Sequence, residues 1–222
     1  GIDRPAIVSA VPSVRGHTVM LDLGANPDCN EDHLVQFAVM GSVIASDLHG
    51  IANPSVGLLN VGEEDIKGTD EIKAAHKRLQ AAGAINYCGF VEGDDIFSGG
   101  VDVVVTDGFT GNVSLKTMEG LARFIGGVMK EEFTRDPLRK LGALVAKPAL
   151  NALKGRLDPR GYNGASMVGL NGVVIKSHGG ADRVSFANAV RVAVTESRNG
   201  VPGQIGELLA KVNGSTAAVE DK

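Results

Sequence analysis

Four polar, glycine-rich segments of this 222-residue sequence each follow a short apolar run. They begin at Asp22, Asn60, Asp107 and Lys176, and they carry carboxylate, amide, lysine or histidine side chains beside glycines. If the apolar runs are parallel strands, their carboxyl ends lie at one edge of a sheet and the four segments meet there. Glycines and helix N-termini at such an edge favour negative charge. The pattern therefore predicts a site for a phosphate-sized anion.

Three lysines, Lys67, Lys116 and Lys176, lie in or near these segments and supply positive charge. His178 stands beside Lys176, where it can donate a hydrogen bond or a proton. The other histidines show no metal-ligand or paired-carboxylate spacing, so we expect solvated side chains and no metal site. These histidines are His17, His33, His49 and His76.

Several function classes are disfavoured. Neither dinucleotide-binding nor P-loop glycine motifs occur: Gly57 and Gly62 have the P-loop spacing, but Glu63 stands where a lysine is required. A net charge of −4 argues against a general nucleic-acid binder. The two cysteines form no framework, which suits a reducing cytoplasm. We expect Cys29 to be a passive thiol and Cys88 to lie in the core.

Apolar runs alternate with helical patterns, which predicts an α/β fold with a mostly parallel sheet and helices on both faces. The expected strands cover residues 18–23, 56–61, 85–91, 101–105 and 170–176, and the expected helices cover 31–48, 69–82, 112 onward and 182–196. We expect one domain over 1–198 and a loose polar tail over 199–222. The sequence contains no apolar run long enough to span a membrane.

A basic segment over residues 135–160 has a net charge of +5, while the remainder of the chain carries −9. Its leucines and Val145 recur at helical spacing on both sides of Pro148, which predicts a protruding amphipathic hairpin. Exposing all of them would be unfavourable, so the hairpin packs on the domain, on a dimer partner or on an anionic membrane.

Six motifs, taken together, closely resemble the phosphate:acyl carrier protein acyltransferases of the PlsX type. They occur in order between Gly1 and about Val194, and we expect a fragment that lacks the family's N-terminal segment. The motifs are LDLGAN (21–26) with HLVQFAVMG (33–41), GLLNVGEE (57–64) with Lys67-Gly68, DGF (107–109) with Gly111-Asn112, YNGA (162–165) and KSHG (176–179).

The resemblance implies a fold similar to isocitrate and isopropylmalate dehydrogenases and to phosphotransacetylase. It implies a cytoplasmic, peripherally membrane-associated homodimer that converts acyl-[acyl carrier protein] and inorganic phosphate to acyl phosphate. A membrane glycerol-phosphate acyltransferase would consume the product. No cofactor is expected, and the family's membrane-contacting tip corresponds to residues 138–157.

We expect loop amides and lysines to hold phosphate while acidic and amide side chains orient the reacting groups. The candidate catalytic residues are Lys67, Asn112, Lys176 and His178. The candidate phosphate- or substrate-binding residues are Asp22, Gly24, Asn26, Glu63, Asp107, Gly108, Gly111, Lys116, Asn163, Ser177 and Gly179. The candidate membrane- or carrier-contacting residues are Leu138, Arg139, Lys140, Leu141, Leu144, Val145, Lys147, Leu150, Leu153, Lys154 and Leu157.

Three alternatives remain at this point. The chain could be a short-chain phosphotransacetylase that uses acetyl-CoA, or a decarboxylating dehydrogenase of the same fold. It could also be a non-enzymatic scaffold that recruits lipid enzymes to a membrane surface. Comparing acyl-carrier and acetyl-CoA thioesters as substrates tests the phosphotransacetylase, and a nicotinamide-dependent absorbance change tests the dehydrogenase. Liposome binding with no acyl phosphate formed would indicate the scaffold.

Overall fold

A computed structural model describes residues 1–156 and 164–220, with the side chains of the last helix described through residue 214. The chain forms two compact units. One comprises Gly1–Asn112 with Arg160–Lys222, and the other comprises Val113–Pro159.

A seven-stranded sheet forms the centre of the first unit, in the order β4-β3-β5-β2-β1-β6-β7. Strands β2 to β5 are mutually parallel, whereas the pairs β1/β2, β1/β6 and β6/β7 are antiparallel. The α/β class with a mostly parallel sheet is therefore confirmed. The strands are β1 (Ala6–Ser13), β2 (Gly16–Leu21), β3 (Ser55–Leu59), β4 (Asn86–Val91), β5 (Val103–Val105), β6 (Ala165–Val168) and β7 (Ile175–Lys176).

The sequence analysis misses β1 and β6, which make the sheet mixed. β1 pairs with β2 as a hairpin, with Val8 opposite Leu21 and Ser13 opposite Gly16. Its residues include serines and Pro12, so it lacks the uninterrupted β-branched run that identifies β5. β6 has only four residues, which is too short for a clear periodic signal.

One long helix covers the parallel part of the sheet. It starts after Asn30, whose side chain accepts a hydrogen bond from the His33 amide, and Gly50 ends it in the left-handed conformation. Its Gly41 lies against Leu21 and Val103, where an added Cβ would clash at 2.5 Å. The helices are α1 (Glu31–His49), α2 (Asp70–Ala82), α3 (Asp95–Ser98), α4 (Gly108–Thr134), α5 (Pro137–Arg156), α6 (Arg183–Asn199) and α7 (Val201–Glu220).

Helices lie on both faces of the sheet. Val19 belongs to the core that α1, α2 and α7 share. The next residue toward the amino end, Thr18, points the other way and donates a hydrogen bond to the Ile96 carbonyl of α3. α3 therefore packs on the face opposite α1.

Residues 199–222 do not form the loose polar tail that the sequence analysis expects. Most of them form α7, which packs against α1 and α2. Val201, Ile205, Leu209 and Val212 are buried at helical spacing. The glycines and polar residues of this stretch hide that apolar stripe in the sequence.

The second unit contains most of α4 and all of α5. The chain bends at residues 135–136, and Asp136 accepts a hydrogen bond from the Arg139 amide at 2.9 Å as α5 begins. Pro148 lies inside α5, so the residues on its two sides belong to one continuous helix. The hairpin over 135–160 is not confirmed, and residues 157–160 lie outside the described part of the chain. None of the helices in the described residues is apolar and long enough to cross a membrane.

The four histidines outside the predicted site are not solvated as expected. His33 and His76 are buried, and His33 contacts Asp3 through Nε2 at 2.6 Å. His76 stacks on Phe90 and shares a 2.7 Å hydrogen bond with the Tyr87 hydroxyl. His17 and His49 are half-buried, and their rings contact each other at a centroid distance of 3.9 Å with a tilt of 46°. These imidazole rings pack between secondary-structure elements, and the spacing of histidines in the sequence does not reveal such packing.

Cys88, expected in the core, is exposed on the edge strand β4.

Candidate anion-binding site

The loop after β2 is organised by the carboxylate of Asp22, which is fully buried. Oδ1 accepts hydrogen bonds from the amides of Ile7, Gly24 and Ala25 at 3.0–3.1 Å. Oδ2 accepts from the backbone amide of Asn26 at 2.7 Å and from its side-chain Nδ2 at 2.9 Å. Asp22 therefore supplies the anion that these amides bind. The expectation that they hold phosphate is not met by this arrangement, and Asp22 is too buried to contact a ligand itself.

Asn26 joins the β2 loop to its surroundings. Its side chain is almost fully buried and also donates to the Pro5 carbonyl at 2.7 Å. Its own carbonyl accepts a hydrogen bond from the Gly108 amide at 2.7 Å. Asn26 therefore ties β1 and the start of α4 to one loop, which explains its presence without a ligand contact.

Two glycines of α4 let the helix approach this loop. A Cβ on Gly108 would lie 2.6 Å from the Asn26 carbonyl oxygen, and one on Gly111 would lie 1.9 Å from the Asp22 carbonyl oxygen. Both distances are far below a normal contact. Gly108 and Gly111 thus serve packing, whereas the sequence analysis assigns them to phosphate. Asn112, which lies one helical turn after Gly108, is exposed, and its side chain lies beside Gly24.

The first turn of α4 is also capped internally. Asp107 accepts hydrogen bonds from the Thr110 amide at 2.8 Å and from the Thr110 hydroxyl at 2.7 Å. A carboxylate at a helix N-terminus satisfies the same partial charge that an incoming anion would. The first turn of α4 therefore already binds a carboxylate of the protein itself.

The loop after β3 is held by Asn60, a residue that the list of predicted site residues omits. Asn60 Nδ2 donates to the carbonyls of Gly62 and Lys67 at 3.0 and 3.2 Å, and Oδ1 is buried without a partner among the described residues. The side chains of Glu63 and Lys67 are exposed on this loop. Because β3 and β2 flank β5, the Lys67 loop borders the same carboxyl edge as the Asn26–Gly108 contact.

The fourth predicted loop does not join the other three. β7 is antiparallel to β6, which is antiparallel to β1, so β7 runs opposite to β2. Its carboxyl end, which carries Lys176 and His178, therefore leads away from the edge where the β2, β3 and β5 loops end. Two strands also separate β7 from β2, a distance of roughly 14 Å at normal strand spacing. The predicted convergence of all four loops is wrong for this segment, because it assumed that every strand is parallel.

The β7 loop has its own local order. His178 Nδ1 accepts a hydrogen bond from the Gly180 amide at 3.1 Å. Lys176, His178 and Gly179 are exposed, and Ser177 is half-buried.

Two more predicted residues, Lys116 and Asn163, are not among the described residues of the first unit. Lys116 belongs to the second unit and pairs with Glu119 at 3.0 Å. Asn163 lies outside the described residues. No group of three or more metal-ligating side chains occurs within the described ranges.

The predicted contact residues of α5 are mostly solvent-exposed within the second unit. Leu138 and Val145 are each 78% exposed, and α5 buries no residue. Its half-buried members include Leu150, and Leu157 lies outside the described residues. The exposed members are Leu138, Arg139, Lys140, Leu141, Leu144, Val145, Lys147, Leu153 and Lys154.

Cys29 lies within the cluster formed by the β2 loop and the start of α4. Its thiol donates weakly to the Asn26 carbonyl at 3.5 Å. Burial raises the pKa of this thiol to about 11, and the charges of Asp22 and Asp107 add to the rise, while the Gly108 amide and Arg4 oppose it. Cys29 is therefore a neutral thiol at neutral pH, not a prepared nucleophile. Arg4, which no motif identifies, adds a cation near this cluster.

The matching family model and the curated relatives agree with the resemblance in the sequence. Residues 1–204 match a family model described as "Fatty acid synthesis protein". The phosphate acyltransferase of Methylococcus capsulatus is 58% identical over 96% of this chain and 62% of its own length. The phosphate acyltransferase of Nitrosococcus oceani is 57% identical over 94% of this chain and 61% of its own length. The chain thus spans about three fifths of these relatives. The EutD phosphotransacetylase from Staphylococcus aureus aligns structurally with a TM-score of 0.45 and 19% identity, over 57% of this chain and 44% of its own.

The raised pKa of Cys29 predicts slow alkylation. In a Cys88→Ser chain, where Cys29 is the sole thiol, we expect the iodoacetamide rate to keep rising about tenfold per pH unit through pH ~9.5, because thiolate is the reacting form. The same chain unfolded in urea serves as the control and should level off near the ordinary thiol pKa. A folded-state rate that levels off at the same pH as the control would contradict this assignment.

Proposed function

Because the chain belongs to the family of fatty acid synthesis proteins, we propose that the protein containing it is a phosphate acyltransferase. It transfers a fatty acyl group from acyl carrier protein to inorganic phosphate. The names of the relatives at 52–58% identity support this reaction. The observation in the chain itself that supports it most is the meeting of the β2 loop with the start of α4 at the carboxyl edge, next to the loop of Lys67.

The chemistry requires two anionic reactants to meet. A phosphate oxygen attacks the thioester carbonyl, the new C–O bond forms, and the C–S bond breaks to release the carrier thiol after protonation. Cations that neutralise phosphate and the developing oxyanion give most of the rate in such a reaction. The carboxylates of Asp22 and Asp107 already accept hydrogen bonds from the loop amides. Lysine side chains therefore neutralise the charge on the phosphate and on the developing oxyanion.

Lys67 is the strongest candidate for that charge in the first unit. Its backbone is fixed, because its carbonyl accepts from Asn60 and its amide donates to the Glu64 carbonyl at 2.9 Å. Its side chain is exposed at the carboxyl edge. Asn112 offers an exposed amide beside Gly24 to orient the reactants. The loop after β7 takes part in this site only if it approaches the carboxyl edge in the working enzyme. Its candidate residues are Lys176, Ser177, His178 and Gly179.

Lys67→Ala tests the phosphate role. In the complete gene product we expect the KM for phosphate to rise about tenfold or more, since a hydrogen bond to a charged group contributes about 1.5–3 kcal/mol. The measurement is phosphate-dependent cleavage of an acyl-[acyl carrier protein] thioester.

The matched control is Lys77→Ala, which removes an exposed lysine from α2 and should change that KM less than about twofold. Equal phosphate KM values in the Lys67 variant and the parent would remove Lys67 from the mechanism. Acetyl-CoA and nicotinamide arms of the assay test the rival enzymes, and cleavage of acetyl-CoA in preference to the acyl carrier thioester would contradict the proposed substrate.

The proposed enzyme is a cytoplasmic homodimer that contacts the membrane peripherally and delivers acyl phosphate to a membrane glycerol-phosphate acyltransferase. These features are supported by the family resemblance and by the character of α5. Leu138, Leu141 and Leu144 are 78%, 58% and 65% exposed, and the basic residues Arg139 and Lys140 lie between the first two. Exposed leucines beside lysines and arginines suit an anionic bilayer surface better than charge attraction to a carrier protein alone.

A double change, Leu141→Glu with Leu153→Glu, tests this surface. We expect binding to vesicles containing anionic lipid to fall at least about tenfold, because the change removes apolar area and adds repulsion. Leu121→Glu, at an equally exposed leucine of α4, is the control and should retain binding. Undiminished vesicle binding by the double variant would exclude the α5 surface. If the double variant loses affinity for the carrier protein but keeps its vesicle binding, the α5 surface binds the carrier protein instead of the membrane.

A further inference from the structure

The loop between β3 and α2 carries Lys67, and the side chain of Asn60 bridges its two ends. Asn60 lies directly after β3, and its backbone amide donates to the Val91 carbonyl at the end of β4 at 2.9 Å. Its side-chain Nδ2 donates to the carbonyls of Gly62 at 3.0 Å and Lys67 at 3.2 Å. A carboxamide nitrogen has two N–H donors, so both are used within this loop. Asn60 therefore joins the end of a strand to the lysine proposed to bind phosphate.

The oxygen of the same carboxamide explains the glycine that follows Lys67. Asn60 Oδ1 is buried, and a Cβ on Gly68 would lie 2.3 Å from it. Gly68 also has a φ of +89°, which other residues adopt only with strain. A side chain at this position would displace the Asn60 carboxamide and, with it, the carbonyl of Lys67. The chain geometry at Lys67 thus depends on both neighbours.

The aliphatic stem of Lys67 lies against the part of the loop that Asn60 holds. A Cβ on Gly62 would lie 3.2 Å from Lys67 Cγ, so the stem runs beside Gly62. The middle of the loop contacts α2 at a longer distance, since Asp65 Oδ1 lies 3.7 Å from His76 Nε2. The Asn60 carboxamide, which binds the carbonyls of Gly62 and Lys67 together, therefore sets the direction of the stem.

The direction of the stem matters because carboxylates border it. The Cβ position on Gly62 is 2.7 Å from Glu64 Oε2 and 3.7 Å from Glu92 Oε1. None of the ion pairs formed within the described ranges includes Lys67. A Lys67 ammonium that turned toward these carboxylates would be neutralised by them and would attract phosphate less.

We propose that Asn60 is a positioning residue for phosphate binding, which keeps the Lys67 ammonium directed away from the neighbouring carboxylates and available at the carboxyl edge. This role rests on the proposed function, because it is exerted on phosphate. Asn60 is only 8% exposed, so it acts through Lys67 and does not contact the reactants.

Asn60→Ala tests the role, since it removes the carboxamide without adding charge. In the complete gene product we expect the KM for phosphate in the thioester-cleavage assay to rise about threefold to tenfold, because two hydrogen bonds that direct the lysine are lost. The KM for acyl-[acyl carrier protein] should change less than about twofold. A merely structural Asn60 would instead lower the fraction of active enzyme, and so kcat, and leave the phosphate KM unchanged.

The matched control is Asn86→Ala. Asn86 also donates a side-chain N–H to a backbone carbonyl, that of Asn53 at 3.2 Å, but it lies at the amino end of β4. Its loss should change the phosphate KM less than about twofold. Gly68→Ala keeps every hydrogen-bonding group and displaces the carboxamide sterically, so it repeats the test if Asn60→Ala does not fold.

A double variant tests whether Asn60 acts through Lys67. Asn60→Ala combined with Lys67→Ala should have the phosphate KM of Lys67→Ala alone within about twofold, because the carboxamide has no effect once the ammonium is gone. A further threefold to tenfold rise in the double variant would overturn the positioning role, since the two residues would then act independently.

Two other results would overturn it. One is an unchanged phosphate KM in the folded Asn60 variant, or in the Gly68 variant where that one replaces it. The other is an equal rise of both substrate KM values. If Lys67→Ala raises the phosphate KM and Asn60→Ala does not, the role of Asn60 fails while the proposed function stands. If the parent enzyme cleaves no thioester with phosphate, both fail.

Discussion

The buried carboxylate of Asp22 is the interaction on which the carboxyl edge depends. Five N–H groups from β1 and the β2 loop converge on its two oxygens. A buried charge is tolerated only when hydrogen bonds of this kind compensate it. Through Asn26, the same network reaches the Gly108 amide and so sets where α4 begins. One side chain thereby joins the antiparallel hairpin, the parallel strands and the longest helix.

This arrangement changes how the edge could act on an anion. Glycine-rich loops and helix N-termini usually suggest phosphate bound to backbone amides. Here Asp22 and Asp107 already accept from those amides, so the fixed dipoles are occupied by the protein's own carboxylates. For this reason the proposed function assigns phosphate binding to the exposed side chain of Lys67, whose backbone is anchored by hydrogen bonds. The glycines are needed instead for close packing of α4 on the loop.

The sequence predicts the strongly patterned parts of the fold correctly. The β-branched run at 103–105 and the capped helix after Asn30 occur where local propensity and capping agree. The direction of β7 could not be predicted, because it depends on pairing through β1 and β6, and neither has a distinct pattern. For that reason the predicted convergence of the loops is wrong for the loop that carries Lys176. The sequence analysis lists Asp22 among the possible ligands because the sequence shows a carboxylate directly after a strand. The sequence does not show that the carboxylate oxygens point into the protein.

Amide hydrogen exchange in an Asp22→Asn variant tests the central role of Asp22 most directly. Asparagine keeps one acceptor oxygen but replaces the other with a donor, so the Asn26 amide loses its partner. Exchange at Asn26 should accelerate at least about tenfold relative to the parent chain, while Leu58 of the parallel strands keeps its rate. The same Asn26 exchange rate in both proteins, with Leu58 still protected, would contradict the account.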